Sequence, residues 1–213
     1  MRRTPVAIAV FARAPAPGRS KSRLVARLGA WGAARLHARL VERTLRTALA
    51  ARCGPVELHC APHARHAFFR RCAARFGVSL HAQGEGDLGV RMARVFARGL
   101  RRHRALLLIG SDIPALRASD LRRAARALAL GGDAVIAPAE DGGYALIGLR
   151  RAAPRIFEAI AWGGPQVYAQ TRRRLATLDG RWRELRTVWD VDRIEDCERL
   201  RASGLMFRGR RFS

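Results

Sequence analysis

Lysine is almost missing from this chain: of 41 basic residues among 213, Lys21 alone is not an arginine. Long apolar runs are missing as well, and nothing approaches the roughly 20 residues that a membrane-spanning helix requires. The apolar stretch Val6 to Ala12 briefly imitates a secretory signal, but Arg13 interrupts it, so a buried first strand is the better reading. The four cysteines, Cys53, Cys60, Cys72 and Cys197, show no C-x-x-C spacing. They suggest neither a zinc site nor a disulfide framework, and read as reduced residues of a cytoplasmic protein. Aromatic residues are sparse at 7% and do not interleave with the basic clusters as a stacking platform for nucleic acid would. Acidic residues number only 17, leaving a formal net charge of +24. The arginines are scattered over every helical segment, so most of this charge reads as solvated helix faces. Weak, salt-sensitive attraction to nucleic acid is expected, without specific binding, and phosphate-rich small ligands are the favoured target.

What remains is a hydrophobic fraction of 49% and a length suited to one globular domain over 1–205, with a basic tail over 206–213. Strands are predicted at Val6–Phe11, Val56–Cys60, Val78–Ala82, Ala105–Ile109, Val135–Ala137, Tyr144–Leu149 and Leu185–Trp189. Helices are predicted over Leu24–Ala51 with a break near Gly29 to Gly32, then Ala64–Phe76, Leu88–Leu100, a segment capped by Ser119 and running to Leu130, Pro165–Leu178 and Ile194–Arg201. Strand–helix alternation with continuous apolar strands implies an α/β domain: a mostly parallel sheet, covered by helices on both faces.

Ligands of such sheets gather at the carboxyl ends of the strands. The first polar cluster there is the Gly/Pro-rich loop holding Lys21, ringed by Arg13, Arg19 and Arg23. Lysine is a flexible point charge and arginine a planar fork, so a lysine retained in an arginine-rich chain points to a phosphate cradle; chance survival is the plain alternative. An unpaired surface ammonium is expected, of little weight in folding. The second cluster is Gly110 to Pro114, where Asp112 follows a rigid strand and suits a hard divalent cation, or merely caps a turn. The third is Glu140-Asp141-Gly142-Gly143, whose glycines allow close approach to a ligand or simply a hairpin turn. In the fourth, Asp190 and Asp192 share one face at strand periodicity, a crowding that calls for a compensating cation. Asp87 and Arg91, at a helix start, form a fifth contact or a plain cap.

In this order the clusters resemble the DUF2064 family of GT-A-like glycosyltransferases, within the nucleotide-diphospho-sugar transferase superfamily. The pattern Phe-x-Arg-x-Pro-x-x-Gly-x-x-Lys-Ser-Arg-Leu is met from Phe11 to Leu24, with Gly18 at its glycine. Gly-Ser-Asp-x-Pro is met from Gly110, Pro-x-x-Asp-Gly-Gly-Tyr from Pro138, Trp-x-x-Pro-x-Val-x-x-Gln from Trp162 and Asp-Val-Asp-x-x-Glu-Asp from Asp190. The resemblance implies a single-domain GT-A, Rossmann-like fold binding a nucleotide-activated donor with Mg²⁺ or Mn²⁺. It implies Asp112, with Asp190 or Asp192, as metal ligands, and Lys21 and Asp112 as the catalytic pair. Arg13, Gly18, Lys21, Arg23, Asp87 and Arg91 would hold the nucleotide and its phosphates, and Glu140, Asp141, Gly142 and Gly143 would face the acceptor. One departure is that the chain lacks a full Asp-x-Asp after the fourth strand.

Glycosyl transfer from a nucleotide sugar to a small-molecule acceptor is therefore the leading expectation. The Lys-Ser-Arg loop is also similar to that of 2-phospholactate guanylyltransferases, which keeps open nucleotidyl transfer from a nucleoside triphosphate with release of pyrophosphate. A third reading, a non-enzymatic basic nucleic-acid-binding protein on the same scaffold, requires the acidic clusters to be dispensable.

Overall fold

A computed structural model describes residues 4–177 and 180–205. The basic tail over 206–213 and the predicted end of a helix at Leu178 lie outside the described residues. The elements run β1 (Thr4–Arg13), α1 (Val25–Ala51), β2 (Val56–Ala61), α2 (Ala67–Phe76), β3 (Ser79–Ala82), α3 (Leu88–Arg102), β4 (His103–Gly110), α4 (Ala118–Ala129), β5 (Ala134–Pro138), β6 (Tyr144–Leu149), α5 (Val167–Ala176), β7 (Trp182–Glu184) and α6 (Ile194–Ala202), with 3-10 turns at Ser22–Leu24 and Pro154–Phe157.

The strands form one seven-stranded sheet ordered β3-β2-β1-β4-β6-β5-β7. Only β6 runs against its neighbours, pairing antiparallel with β4 and β5; every other pairing is parallel. Buried on both sides, β1 divides its side chains between two cores. Val6, Ile8, Val10 and Ala12 join Leu40, Leu45, Phe69 and Leu121 on one face. Ala7, Ala9 and Phe11 join Met92, Phe96, Ile156 and Leu175 on the other. Helices thus cover both faces, as the apolar strands require.

Several predicted boundaries move for physical reasons. The last strand is not Leu185–Trp189 but Trp182–Glu184, and beyond it only an isolated bridge from Val188 to Ala139 continues the edge. That strand is the exposed margin of the sheet, where apolar periodicity is weakest. The cap of α4 is Arg117 and not Ser119; Asp120, at the third helical position, accepts from the Arg117 N–H at 3.0 Å. Helix α2 begins at Ala67, after the His66 Nδ1 accepts from the Phe68 N–H at 3.2 Å, and α5 begins at Val167. The break in α1 is confined to Gly29, whose left-handed φ of 68° with an extended ψ of 164° suits glycine.

The topology reverses at β1, which has β2 on one side and β4 on the other. At that crevice the ends of β1 and β4 deliver the Lys21 loop and Asp112 to one edge of the sheet. The hairpin turn between β5 and β6, and the segment after the Val188 bridge, open on the same edge.

Candidate nucleotide-binding and transferase site

The loop leaving β1 is tied back on itself. The Ser20 hydroxyl accepts from the Ala16 N–H at 2.9 Å and donates to the Ala14 carbonyl at 3.2 Å. Gly18 turns the loop at φ 73°, and Lys21 itself sits in the left-handed region at φ 52°, a conformation that a residue with a Cβ adopts at a cost. These turns send the lysine inward. Its side chain is only 6% exposed, and Nζ lies 2.8 Å from Asp112 Oδ2 and 3.9 Å from Asp192 Oδ1. The expectation of an unpaired surface ammonium is therefore corrected: Lys21 is a buried cation bridging two carboxylates. Arg23, largely exposed, takes the other oxygen of Asp192.

On the far side of Asp112 lies a residue that sequence reasoning missed. His37, buried on α1, faces the Arg13 carbonyl with Nε2 at 2.9 Å and Asp112 Oδ1 with Nδ1 at 3.2 Å. Its signal was a lone imidazole on the apolar stripe that includes Ala33, Leu36, Leu40 and Val41. Burial opposes ionisation of Asp112, but the Lys21 ammonium and the His37 ring outweigh it and hold the carboxyl below the usual range. Helix α1 also fixes the loop carrying Asp112, since Thr44 donates to the Ser111 carbonyl at 3.2 Å and Arg43 to the Pro114 carbonyl at 2.9 Å.

Asp190 and Asp192 flank the buried Val191, whose N–H donates to the Asp112 carbonyl at 3.0 Å. The strand foreseen for this segment is absent; Val191 is buried and the two carboxylates on either side of it are half-buried. Asp190 is pushed up to about 6, first by burial and then by the Asp141 and Asp192 charges, which outweigh the opposing effect of Lys21. Asp190 is incompletely compensated, whereas Asp192 is paired with Lys21 and Arg23. Among the described residues no group of three or more His, Cys, Asp or Glu side chains is disposed to hold a metal ion. Mg²⁺ commonly uses one or two carboxylates and takes its remaining ligands from substrate phosphates and water. Asp112, just past the end of β4, and the half-buried Asp190, crowded by Asp141 and Asp192, fit such an ion.

A second cationic group stands beside the loop. Gln83, 4% exposed and also missed from the sequence, donates from Nε2 to the carbonyls of Ala12 and His59 and accepts from Arg91 Nη1 at 3.0 Å. It holds Arg91 near Arg13, and burial first, then the Arg13 charge, lowers the Arg91 guanidinium below its ordinary value. Asp87 serves as the N-cap of α3, accepting from the Val90 N–H at 2.8 Å.

The Glu140 to Gly143 turn is occupied internally. Glu140 pairs with both terminal nitrogens of Arg199, which stacks 4.6 Å from the Trp189 ring centroid. Asp141 accepts from the Gly143 N–H at 2.9 Å, and the Gly142 carbonyl accepts from the Tyr168 N–H at 2.8 Å. Gly142 has φ 86°, and a Cβ there would lie 2.1 Å from the Pro165 carbonyl oxygen. Gly142→Ala is accordingly expected to destabilise the protein by about 2–4 kcal/mol, from left-handed strain and overpacking against backbone. Urea denaturation checks this; an unchanged midpoint would show that the turn and the start of α5 shift freely.

A mixed seven-stranded α/β sheet with basic and acidic groups gathered at its carboxyl edge places the chain in the class of Rossmann-like nucleotide-handling folds. More narrowly, residues 44–164 match the family described as "Uncharacterized protein conserved in bacteria (DUF2064)", and the chain belongs to that family. No curated protein matches the chain. Among solved structures, a protein of Desulfovibrio desulfuricans G20, provisionally assigned as a nucleotide-diphospho-sugar transferase, is 29% identical with a TM-score of 0.84, over 93% of this chain and 87% of its own. Rv0371c of Mycobacterium tuberculosis H37Rv, determined in complex with manganese, is 19% identical with a TM-score of 0.57, over 94% of this chain and 100% of its own. A cytidylyltransferase of Leptospira borgpetersenii serovar Hardjo-bovis is 15% identical with a TM-score of 0.61, over 99% of this chain and 90% of its own. The last two likenesses speak to the fold alone.

Proposed function

We propose that the protein is a transferase that uses a nucleotide-activated donor and a divalent cation, with glycosyl transfer from a nucleotide sugar as its reaction. The observation that carries this reading is the convergence of Lys21, Asp112 and Asp192 at the β1/β4 crevice, with the partly uncompensated Asp190 on the same edge. The 29% identity to a protein provisionally assigned as a nucleotide-diphospho-sugar transferase supports it. Like charges at Arg13 and Arg91 oppose each other until an anion neutralises them, which suits a phosphate there.

Mg²⁺ or Mn²⁺ bound by Asp112 with Asp190 or Asp192 would supply Lewis-acid neutralisation of the donor phosphates. The chain's own part is electrostatic. Lys21, Arg13 and Arg23 stabilise charge developing on the departing phosphate, and His37 keeps the Asp112 carboxylate oriented. The Gly142-Gly143 turn, with Glu140 and Asp141 beside it, borders the side from which a small acceptor would approach.

The density of cations in the loop favours a second reading, nucleotidyl transfer from a triphosphate. One base presented as diphosphate, triphosphate and sugar diphosphate, each with Mn²⁺, separates the two by calorimetry. A glycosyltransferase site gains affinity from the sugar, and the sugar diphosphate is expected to bind best. An additional phosphate engaged by the loop would add charge-assisted hydrogen bonds worth about 1.5–3 kcal/mol each. A triphosphate bound about tenfold tighter than the sugar diphosphate, a difference of roughly 1.4 kcal/mol, with pyrophosphate released on turnover, would transfer the assignment to the nucleotidyltransferases.

A further inference from the structure

From the burial and pairing of Lys21 we infer that its ammonium is a resident placeholder for the divalent cation: it holds Asp112 and Asp192 in the metal-free protein, is displaced when the metal arrives, and is then free to meet the nucleotide's phosphates. This rests on the transferase reading above. Nζ stands 2.8 Å from Asp112 and 3.9 Å from Asp192, two of the carboxylates assigned to the metal, and it is nearly shut off from water. A lysine so placed cannot at the same time neutralise donor phosphates, the role its loop otherwise suits. One residue serves both roles only if it moves between them.

The side-chain chemistry fits a group that must let go. A lysine carries a compact ammonium on a flexible four-carbon stem and swings without breaking a bidentate fork, whereas arginine would grip a carboxylate in two places. This is a physical reason for the only lysine of the chain to stand here among 41 basic residues. The left-handed backbone of Lys21 points the same way, since such strain persists where the surroundings impose it and is relieved when they change. Arg23 and His37 would stay behind, keeping Asp192 and Asp112 in position after Lys21 leaves.

The placeholder competes with metal, so its removal should strengthen metal binding in the absence of nucleotide. Mn²⁺ alone, titrated with detection of the free ion by electron paramagnetic resonance, is expected to bind Lys21→Met about tenfold or more tighter than wild type, the scale on which a neighbouring cation changes a carboxylate's affinity for a competing one. Lys21→Arg is expected to bind Mn²⁺ no better than wild type. Equal or weaker binding by Lys21→Met, with wild type still taking Mn²⁺ when nucleotide is present, would overturn the placeholder and leave the transferase reading standing. Absence of Mn²⁺ binding by wild type with either a nucleotide sugar or a triphosphate would overturn both. Should Lys21→Met fail to fold, the wild-type chain decides, because an amine-selective acylating reagent has one lysine to modify and the terminal amine as its control. Mass spectrometry is expected to find Lys21 protected without divalent ion and acylated severalfold faster with Mg²⁺ alone. Unchanged protection across the Mg²⁺ titration would overturn the proposal.

Discussion

Asp112→Asn is expected to weaken Mn²⁺ binding, measured with nucleotide present, by more than about 100-fold. Loss of a group that only orients a metal ligand typically costs 10–100-fold, and Asp112 is assigned as the ligand itself. His37→Ala provides the internal comparison and is expected to fall within that smaller range, because His37 contacts Asp112 Oδ1 and the Arg13 carbonyl and acts through them. Asp112→Asn also takes from the buried Lys21 ammonium its carboxylate at 2.8 Å and leaves Asp192 at 3.9 Å, so some loss of stability accompanies the substitution and is measured by urea denaturation beside the titration. Calorimetric titration of wild type and both variants checks the ordering. Equal Mn²⁺ affinity for wild type and Asp112→Asn would remove Asp112 from the metal site, and a deeper loss in His37→Ala than in Asp112→Asn would exchange their roles.

A second large effect is expected away from the carboxyl edge. Glu57, buried on β2, accepts from Arg102 at 2.8 Å and meets His59 at 3.1 Å, His103 at 3.4 Å and His81 at 3.9 Å. Burial opposes its ionisation, yet the His59 hydrogen bond and the charges of Arg102 and the neighbouring rings prevail and bring it down to about 2. Glu57→Gln leaves these cationic and ring partners without their carboxylate, and is expected to destabilise the protein by about 3–5 kcal/mol at neutral pH. The sign of the pH dependence follows from the lowered folded-state value. The carboxylate's contribution is complete above its ordinary value of 4.5 and is lost as pH falls from there toward about 2. The difference between wild type and Glu57→Gln in urea denaturation should therefore shrink across that acid window. A difference that is small at neutral pH, or constant down to pH 2, would mean that the histidines and Arg102 find other partners.

The two assignments differ in how far the sequence alone could carry them. Glu57, His59, His81 and His103 were passed over because each lies within or beside a predicted strand, where a polar residue reads as edge or turn. Their convergence depends on β2 lying between β1 and β3, a neighbour relation that local periodicity does not encode. Asp112 was legible because it follows the leucine-rich apolar run Ala105–Ile109, and such a strand must end at a sheet edge.

The sequence by itself determined the α/β class, the strands β1, β2, β4 and β6 to within a few residues, a break near Gly29 to Gly32, and the polar clusters at the strand ends. Each of these depends on contacts near in sequence: apolar runs that must be buried, a glycine that permits a left-handed φ, a hairpin turn with two glycines. Only the tertiary structure decided that Lys21 is buried against Asp112, that His37 meets Asp112 and the Arg13 carbonyl, that Gln83 holds Arg91, that Arg199 occupies Glu140, and that the margin of the sheet is Trp182–Glu184. The margin moves because an exposed edge strand has weak apolar periodicity; the side-chain contacts share another reason. A long charged side chain reaches partners on several neighbouring elements, and which of them it meets is set by sheet order and helix placement, over distances in the chain at which residue periodicity carries no information.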